Sequence, residues 1–313
     1  MPMRIDAHVH VYNEGYWPDR WFDYVAEQWA VRHPDRSPSD IRDRIESGLA
    51  DPGAENLIRQ MDQVGIDRSV ILTVDWELGM DQAARVAIEK VHADYEAIAK
   101  ATGGRVLAFA GLDPRRPNAA ELLEGLMTRQ AVCGLKLYPP TGFYPYDPVV
   151  APLYDLCRSA GIPVAVHTGG TIGVLRPRFA NPLYLQDVQR NFPGLTLWIV
   201  HSGLSWWWEE ALAVARNGIR TYLELSGWQE MAKHEEERFV RMLDTARRHV
   251  GAECLLFGSD HFSGSRVRGT SSLREWVDWW ADLPARAKRH GVVFTEDELD
   301  LILGENARAC LRL

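Results

Sequence analysis

No stretch of this sequence approaches 18 uninterrupted apolar residues, so neither a membrane span nor a membrane partner is expected. Cysteine is scarce. The four residues, at 133, 157, 254 and 310, form no CxxC pair and read as reduced thiols of a cytoplasmic protein. Positive charge is short as well: 35 Lys and Arg against 43 Asp and Glu leave a net charge of -8. A phosphate-rich partner would need a basic face, so nucleic acid is excluded. No GxGxxG, GxxxxGK[ST] or GxSxG occurs, which removes the dinucleotide fold, the P-loop and the nucleophile elbow. There is no linker, low-complexity tract or repeat, and Met1–Asp6 shows no apolar signal region.

What is present is ordinary for a globular chain: 313 residues, 46% hydrophobic and 25% charged. The 12 Trp are unusual, and several lie in polar surroundings, which points to an aromatic-lined pocket or interface. Eight short apolar runs are bounded by turn residues: 4–10, 69–74, 106–112, 134–138, 163–167, 195–201, 220–225 and 254–260. Continuous apolar runs of this length suit strands buried on both faces of a parallel sheet. Helical spacing occupies 56–64, 83–101, 119–129, 149–160 and 238–248. The alternation, with no glycine-rich turn after the first strand, predicts an α/β fold: a closed (β/α)8 TIM barrel, one domain over 1–313. Between His10 and Ser69 the chain is too long for one helix and carries Trp17, Trp21, Phe22, Tyr24 and Trp29. Residues 11–57 therefore read as an aromatic-rich insertion, a cap over the barrel mouth.

Polar residues fall at the ends of these runs. His8 and His10 close strand one, His167 strand five, His201 strand six and Asp260 strand eight, while Lys136 lies in strand four. Residues two apart in a strand share a face, so both strand-one imidazoles can reach one cation. A lone His in a strand is more often a hydrogen-bonded core residue, and a lone Asp after a strand is usually a helix cap. Four strands ending this way, with buried ionisable groups in need of partners, indicate a metal site. Imidazole with carboxylate suits Zn(II) first, with Mn(II) or Fe(II) as alternatives.

The phrases Ile5-Asp6-Ala7-His8-Val9-His10, Gly134-Leu135-Lys136-Leu137-Tyr138-Pro139, Phe257-Gly258-Ser259-Asp260-His261 and Gly304-Glu305-Asn306-Ala307-Arg308 are the carriers of a resemblance. With His167 and His201, they resemble the amidohydrolase superfamily. The likeness is to its amidohydrolase-related (amidohydrolase 2) branch, which includes aminocarboxymuconate-semialdehyde decarboxylase-like enzymes. The resemblance implies a cation on His8, His10, His167 and Asp260, activating a water whose proton Asp260 accepts. It makes His201 catalytic instead of a strong ligand, and makes a homodimer plausible. One ion is expected; two would follow if Lys136 were carboxylated, as in two-metal members of the superfamily. Otherwise Lys136 is an ammonium facing a small-molecule substrate, with Tyr138 on the same inward face.

Trp207, within Trp206–Trp208, and Arg176, beside Arg178, are further candidate substrate contacts, against plainer readings as helix packing and a solvated loop. Tyr144–Pro148 reads as a pocket wall. His261 faces away from the site, and His33, His92, His234, His249 and His290 read as surface residues. The expected activity is metal-dependent hydrolysis of an amide, lactone or ester. The alternatives are non-oxidative decarboxylation of an aromatic or enoic acid, and an inactive metal-binding protein. Decarboxylases of this branch resemble one another in a carboxylate-holding Arg ahead of a Met-Asp-x-x-Gly segment. Before Met61-Asp62-Gln63-Val64-Gly65 that place is taken by Leu57, with Arg59 at another helical phase.

Overall fold

A computed structural model describes residues 2–264 and 269–313. Among the described residues nine strands run in parallel: β1 Ile5–His10, β2 Arg68–Leu72, β3 Val106–Gly111, β4 Leu135–Leu137, β5 Val164–His167, β6 Leu197–Val200, β7 Thr221–Glu224, β8 Leu255–Leu256 and β9 His261–Phe262. Their order is β8-β7-β6-β5-β4-β3-β2-β1-β9. β8 and β9 are two pieces of one stave, so the sheet closes on itself. Ala7 N donates to Phe257 O at 3.0 Å, Asp260 N to His8 O at 2.8 Å and Ser263 N to His10 O at 3.1 Å.

The expected eighth strand, 254–260, is thus broken in the middle. Asp260 adopts a positive φ of 54°, and Ser259 turns to hydrogen-bond the buried Asp6 carboxylate. Gly258 is required in the gap, because a Cβ there would sit 2.0 Å from Glu224 Oε1.

Successive strand residues fall into two apolar clusters, as alternation demands. Val70, Leu72, Ala165, Trp198 and Val200 pack with Ala307, Cys310 and Leu311 of the last helix, Asn306–Leu311. Ile71, Val164, Val166, Leu197 and Ile199 pack with helix residues such as Leu123, Leu153, Val214 and Phe239. The first cluster fills the barrel and the second lies under the helical layer. Ile5 and Ala7 belong to the interior, so strict alternation would turn His8 outward. A register shift between Asp6 and Val9 brings it in.

The insertion contains two helices that the sequence reading had passed over, α1 (Asp19–Arg32) and α2 (Pro38–Leu49). Ser37 caps α2 by accepting from Asp40 N at 3.1 Å, with Pro38 in the first turn. α3 (Glu55–Val64) follows, its first turn held by Asp51, whose carboxylate accepts from Asn56 N and Leu57 N. The helix expected at 83–101 begins only at Ile88, because Val86 N is taken by Gly15 O of the insertion at 2.9 Å. On the outer layer Glu236, opening the helix Glu236–Val250, pairs with Arg286, Arg289 and His290. Among the described residues no helix is long and apolar enough to cross a membrane.

Candidate active site

At the C-terminal ends of the strands lies a cleft of about 450 Å³, lined among others by His8, His10, Lys136, Tyr138, His167, His201 and Asp260. Its walls are aromatic: Trp17, Trp21, Trp76 and Phe262 line it too. Trp17 and Trp21 come from the insertion, so that segment contributes to the cleft. His10 and Phe262 have ring centroids 4.9 Å apart, which puts the aromatic wall directly against the polar floor.

Three donors form a compact triangle. His8 Nε2 is 3.1 Å from His10 Nε2. Asp260 Oδ1 lies 3.4 Å from His8 Nε2 and 3.1 Å from His10 Nε2. Metal bonds of about 2.0–2.2 Å at tetrahedral to octahedral angles place neighbouring donors roughly 3.0–3.5 Å apart, so these three residues fit one divalent cation. His8 Nδ1 faces Glu224 Oε2 at 3.3 Å and Ser226 Oγ at 3.1 Å. A carboxylate on Nδ1–H leaves the Nε2 lone pair for the metal side. His167 stands outside this triangle, but its Nε2 is engaged with Gly170 O at 2.8 Å while its Nδ1 is buried without a partner. An imidazole nitrogen orphaned in this way suits a further ligand.

Burial drives His8 and His167 well below the usual histidine value and His201 down to about 4, which favours the neutral rings that serve as ligands or bases. Burial works against ionisation of Asp260, yet His8, His10 and His201 hold its carboxyl well below the usual range. His201 Nδ1 is held by Ser226 Oγ at 2.8 Å, which leaves Nε2 as the ring nitrogen without a hydrogen-bond partner among the described residues. Lys136 is 2% exposed, and burial pushes its ammonium down to about 7 despite the attraction of Glu224 and Asp260. Tyr138 stacks on His167 with centroids 4.1 Å apart, and its hydroxyl meets Thr171 Oγ1 at 2.9 Å.

Two expected substrate contacts lie elsewhere. Arg176 is exposed and outside the cleft lining, its backbone N bound to Pro140 O at 3.1 Å. Trp207 lies at the N-cap of the helix Trp208–Asn217, also outside the lining, and the neighbouring Leu204 reaches the cleft instead. His92 is not on the surface: it is 1% exposed on the buried stripe of helix Ile88–Ala101, with Nε2 3.3 Å from Gly111 O. His261 does turn away, its Nε2 2.7 Å from Gln60 Oε1.

The residues missed were the supporting ones. Glu224 is fully buried. Its Oε2 accepts from His201 N and Ser226 Oγ, and its Oε1 from Ser226 N. The signal was present: an acid inside an apolar strand is costly unless several donors satisfy it. Asp6 is similar, pushed up to about 7 by burial although Ser259 and the His8 backbone donate to it. His201 and Ser202 join Asp260 in taking positive φ, 62° and 48°. Such backbone gathers where a site over-determines its geometry.

A closed parallel barrel with a His-His-Asp triangle at its mouth defines a metal-ready barrel enzyme scaffold. The chain belongs to the amidohydrolase family, in its amidohydrolase-related branch, and the family's pattern matches residues 5–313. No curated protein matches the sequence. Among solved structures, an uncharacterised TIM-barrel protein from Bordetella bronchiseptica is 22% identical, with TM-score 0.67 over 99% of this chain and 98% of that one. A 5-carboxyvanillate decarboxylase from Novosphingobium aromaticivorans, complexed with manganese and 4-hydroxy-3-methoxy-5-nitrobenzoic acid, is 14% identical, with TM-score 0.67 over 100% of this chain and 96% of that one. A probable 2-pyrone-4,6-dicarboxylic acid hydrolase from Acinetobacter baumannii is 13% identical, with TM-score 0.62 over 99% of both. At these identities the likeness is one of fold.

Proposed function

We propose that the chain is a metal-dependent carboxy-lyase that removes carbon dioxide, without oxidation, from a small aromatic acid. The observation that carries this reading is the cleft: one buried lysine, Lys136, whose ammonium a bound carboxylate would stabilise, beneath the walls of Trp17, Trp76, Tyr138 and Phe262. A flat ring bearing a carboxylate answers both features at once. Among the described residues Lys136 is the sole Lys or Arg lining the cleft, Leu57 is core, and Arg59 is exposed and bonded to Asn56. Lys136 thus takes the carboxylate-anchoring place that the branch gives to arginine. The manganese and benzoic-acid ligand of the Novosphingobium decarboxylase support the choice of reaction and favour manganese over the zinc expected from the sequence.

His8, His10 and Asp260 would hold a single divalent ion supplying Lewis acidity toward the substrate's oxygens, and His167, on the same cleft, offers its buried Nδ1 as a further ligand. Lys136 offsets the charge of the carboxylate, and the aromatic walls exclude water and fix the ring plane. Asp260, ionised at rest, takes up the proton that His201 draws from a ring hydroxyl and delivers it to the ring carbon that bears the carboxylate; solvent later reprotonates the phenolate. The C–C bond then breaks, its electron pair restores aromaticity, and carbon dioxide leaves. His201, held through Nδ1 by Ser226, presents Nε2 to a ring hydroxyl and shuttles its proton. Hydrolysis, the expectation from sequence, is the second reading; an ionised Asp260 able to accept a proton from water favours it.

The test is incubation of the manganese-loaded protein with 5-carboxyvanillate, 2-hydroxybenzoates and 2-pyrone-4,6-dicarboxylate, following carbon dioxide and ring-opened product separately. Carbon dioxide from an aromatic acid is the expected result. Ring opening without carbon dioxide would replace the reading with the hydrolase.

A further inference from the structure

A second hollow, about 850 Å³ and larger than the catalytic cleft, lies between α1 and α2. Trp21, Val25 and Trp29 recur at four-residue spacing on α1, and Ile41 and Ile45 on α2, so each helix turns an apolar stripe into it. A stripe facing a neighbouring helix is normally closed by packing. Here Trp29 stays 51% exposed within the hollow. The hollow adjoins the cleft, and Trp21, Gln28, Ile172 and Phe262 line both. Its outer end carries Arg36 and Arg44 beside His33 and one acid, Asp40. Arg44 has no carboxylate partner among the described residues, and Arg36 has only the exposed Asp35 at 3.8 Å.

We propose that this groove is the second half of the substrate site. It takes an aryl-sized apolar substituent, tipped by an anion, on the aromatic acid whose carboxylate-bearing ring enters the cleft. The assignment of that ring rests on the carboxy-lyase reading. The groove supplies stacking area on Trp21 and Trp29, and Arg44 meets the distal anion.

The probe is 1-anilinonaphthalene-8-sulfonate, an apolar bicyclic anion titrated by fluorescence. One molecule per chain is expected to bind. Affinity should fall at least tenfold in Ile45→Trp, which fills the groove, about fivefold in Trp29→Ala, and about fivefold in Arg44→Glu. The 3-, 4- and 5-phenyl-2-hydroxybenzoates are then used as competitors. At least one should displace the probe at a tenfold lower concentration when Mn(II) is present, because only a ligand that also reaches the triangle senses the ion. Unchanged probe affinity in all three variants overturns the proposal, as does displacement indifferent to Mn(II). A dimer by light scattering that Trp29→Ala and Arg44→Glu convert to monomer would assign the groove to a second copy and also overturn it. Mn(II)-sensitive displacement without carbon dioxide release would keep the two-part site and reject decarboxylation. Carbon dioxide from 2-hydroxybenzoates, with no effect of the groove variants on the probe, would do the reverse.

Discussion

Asp260 is bound to the site by its charge more than by its shape, and this separates two of its functions. Asp260→Asn keeps an oxygen near His8 and His10 but cannot carry a proton. Turnover should fall about 10²–10⁴-fold while elemental analysis still finds metal, the contribution of proton transfer by a positioned group. His201→Asn should lose about 10²–10⁴ in kcat with full metal content; loss of the metal instead would make His201 a ligand. Glu224→Gln acts one step further out. It weakens the acceptor on His8 Nδ1 and should reduce metal affinity about 10–100-fold, measured by competition with a chelator. The ligand-type residues were legible because each ends an apolar run. Glu224 was passed over although it stands in an apolar run, because the run does not name the donors that satisfy it, the His201 amide and the Ser226 hydroxyl and amide. His92 was misread for want of periodicity: with Ile88, Val91 and Tyr95 it completes an i, i+3, i+4, i+7 stripe on a buried helix face.

Helices α1 and α2 show the same limit at the next scale. Their aromatic content drew attention to a pocket, while their start signal, Ser37-Pro38 before an Ile41–Ile45–Leu49 stripe, was not used. The strands were recovered almost throughout, the exception being the eighth stave, whose break is a tertiary effect of Asp6, Gly258 and Glu224 that no local pattern encodes. On the outer layer the clamp at Glu236 predicts acid behaviour. Burial opposes its ionisation, but Arg289, His290 and Arg286 hold its carboxyl at about 2, against the ordinary 4.5. A lowered carboxyl value means that the stabilisation is complete above about pH 4.5 and fades as pH falls toward 2. Glu236→Gln should therefore cost about 1–2 kcal/mol near neutrality and nothing below pH 2, with a flatter acid limb in urea titrations at stepped pH.

For the whole molecule, the triangle joins β1 to the broken eighth stave, so anything that binds it supports the folded chain. At 100-fold excess over its dissociation constant, Mn(II) should add about 2.7 kcal/mol and raise Tm by about 5 °C. The shift should vanish in His10→Ala, and a shift that survives there would place the ion elsewhere. The barrel itself followed from strand count, spacing and the missing glycine-rich turn, whereas its seam did not. That seam has a consequence for motion. The amides of Asp260 and Ser263 donate to the carbonyls of His8 and His10, two corners of the triangle, so an ion there works as a clasp on the barrel's last joint. Loading with Mn(II) should slow deuterium uptake at these two amides. The amide of Val164, far from that seam and bonded at 2.9 Å to Thr196 O beside the neighbouring β6, should exchange at the same rate with or without the ion.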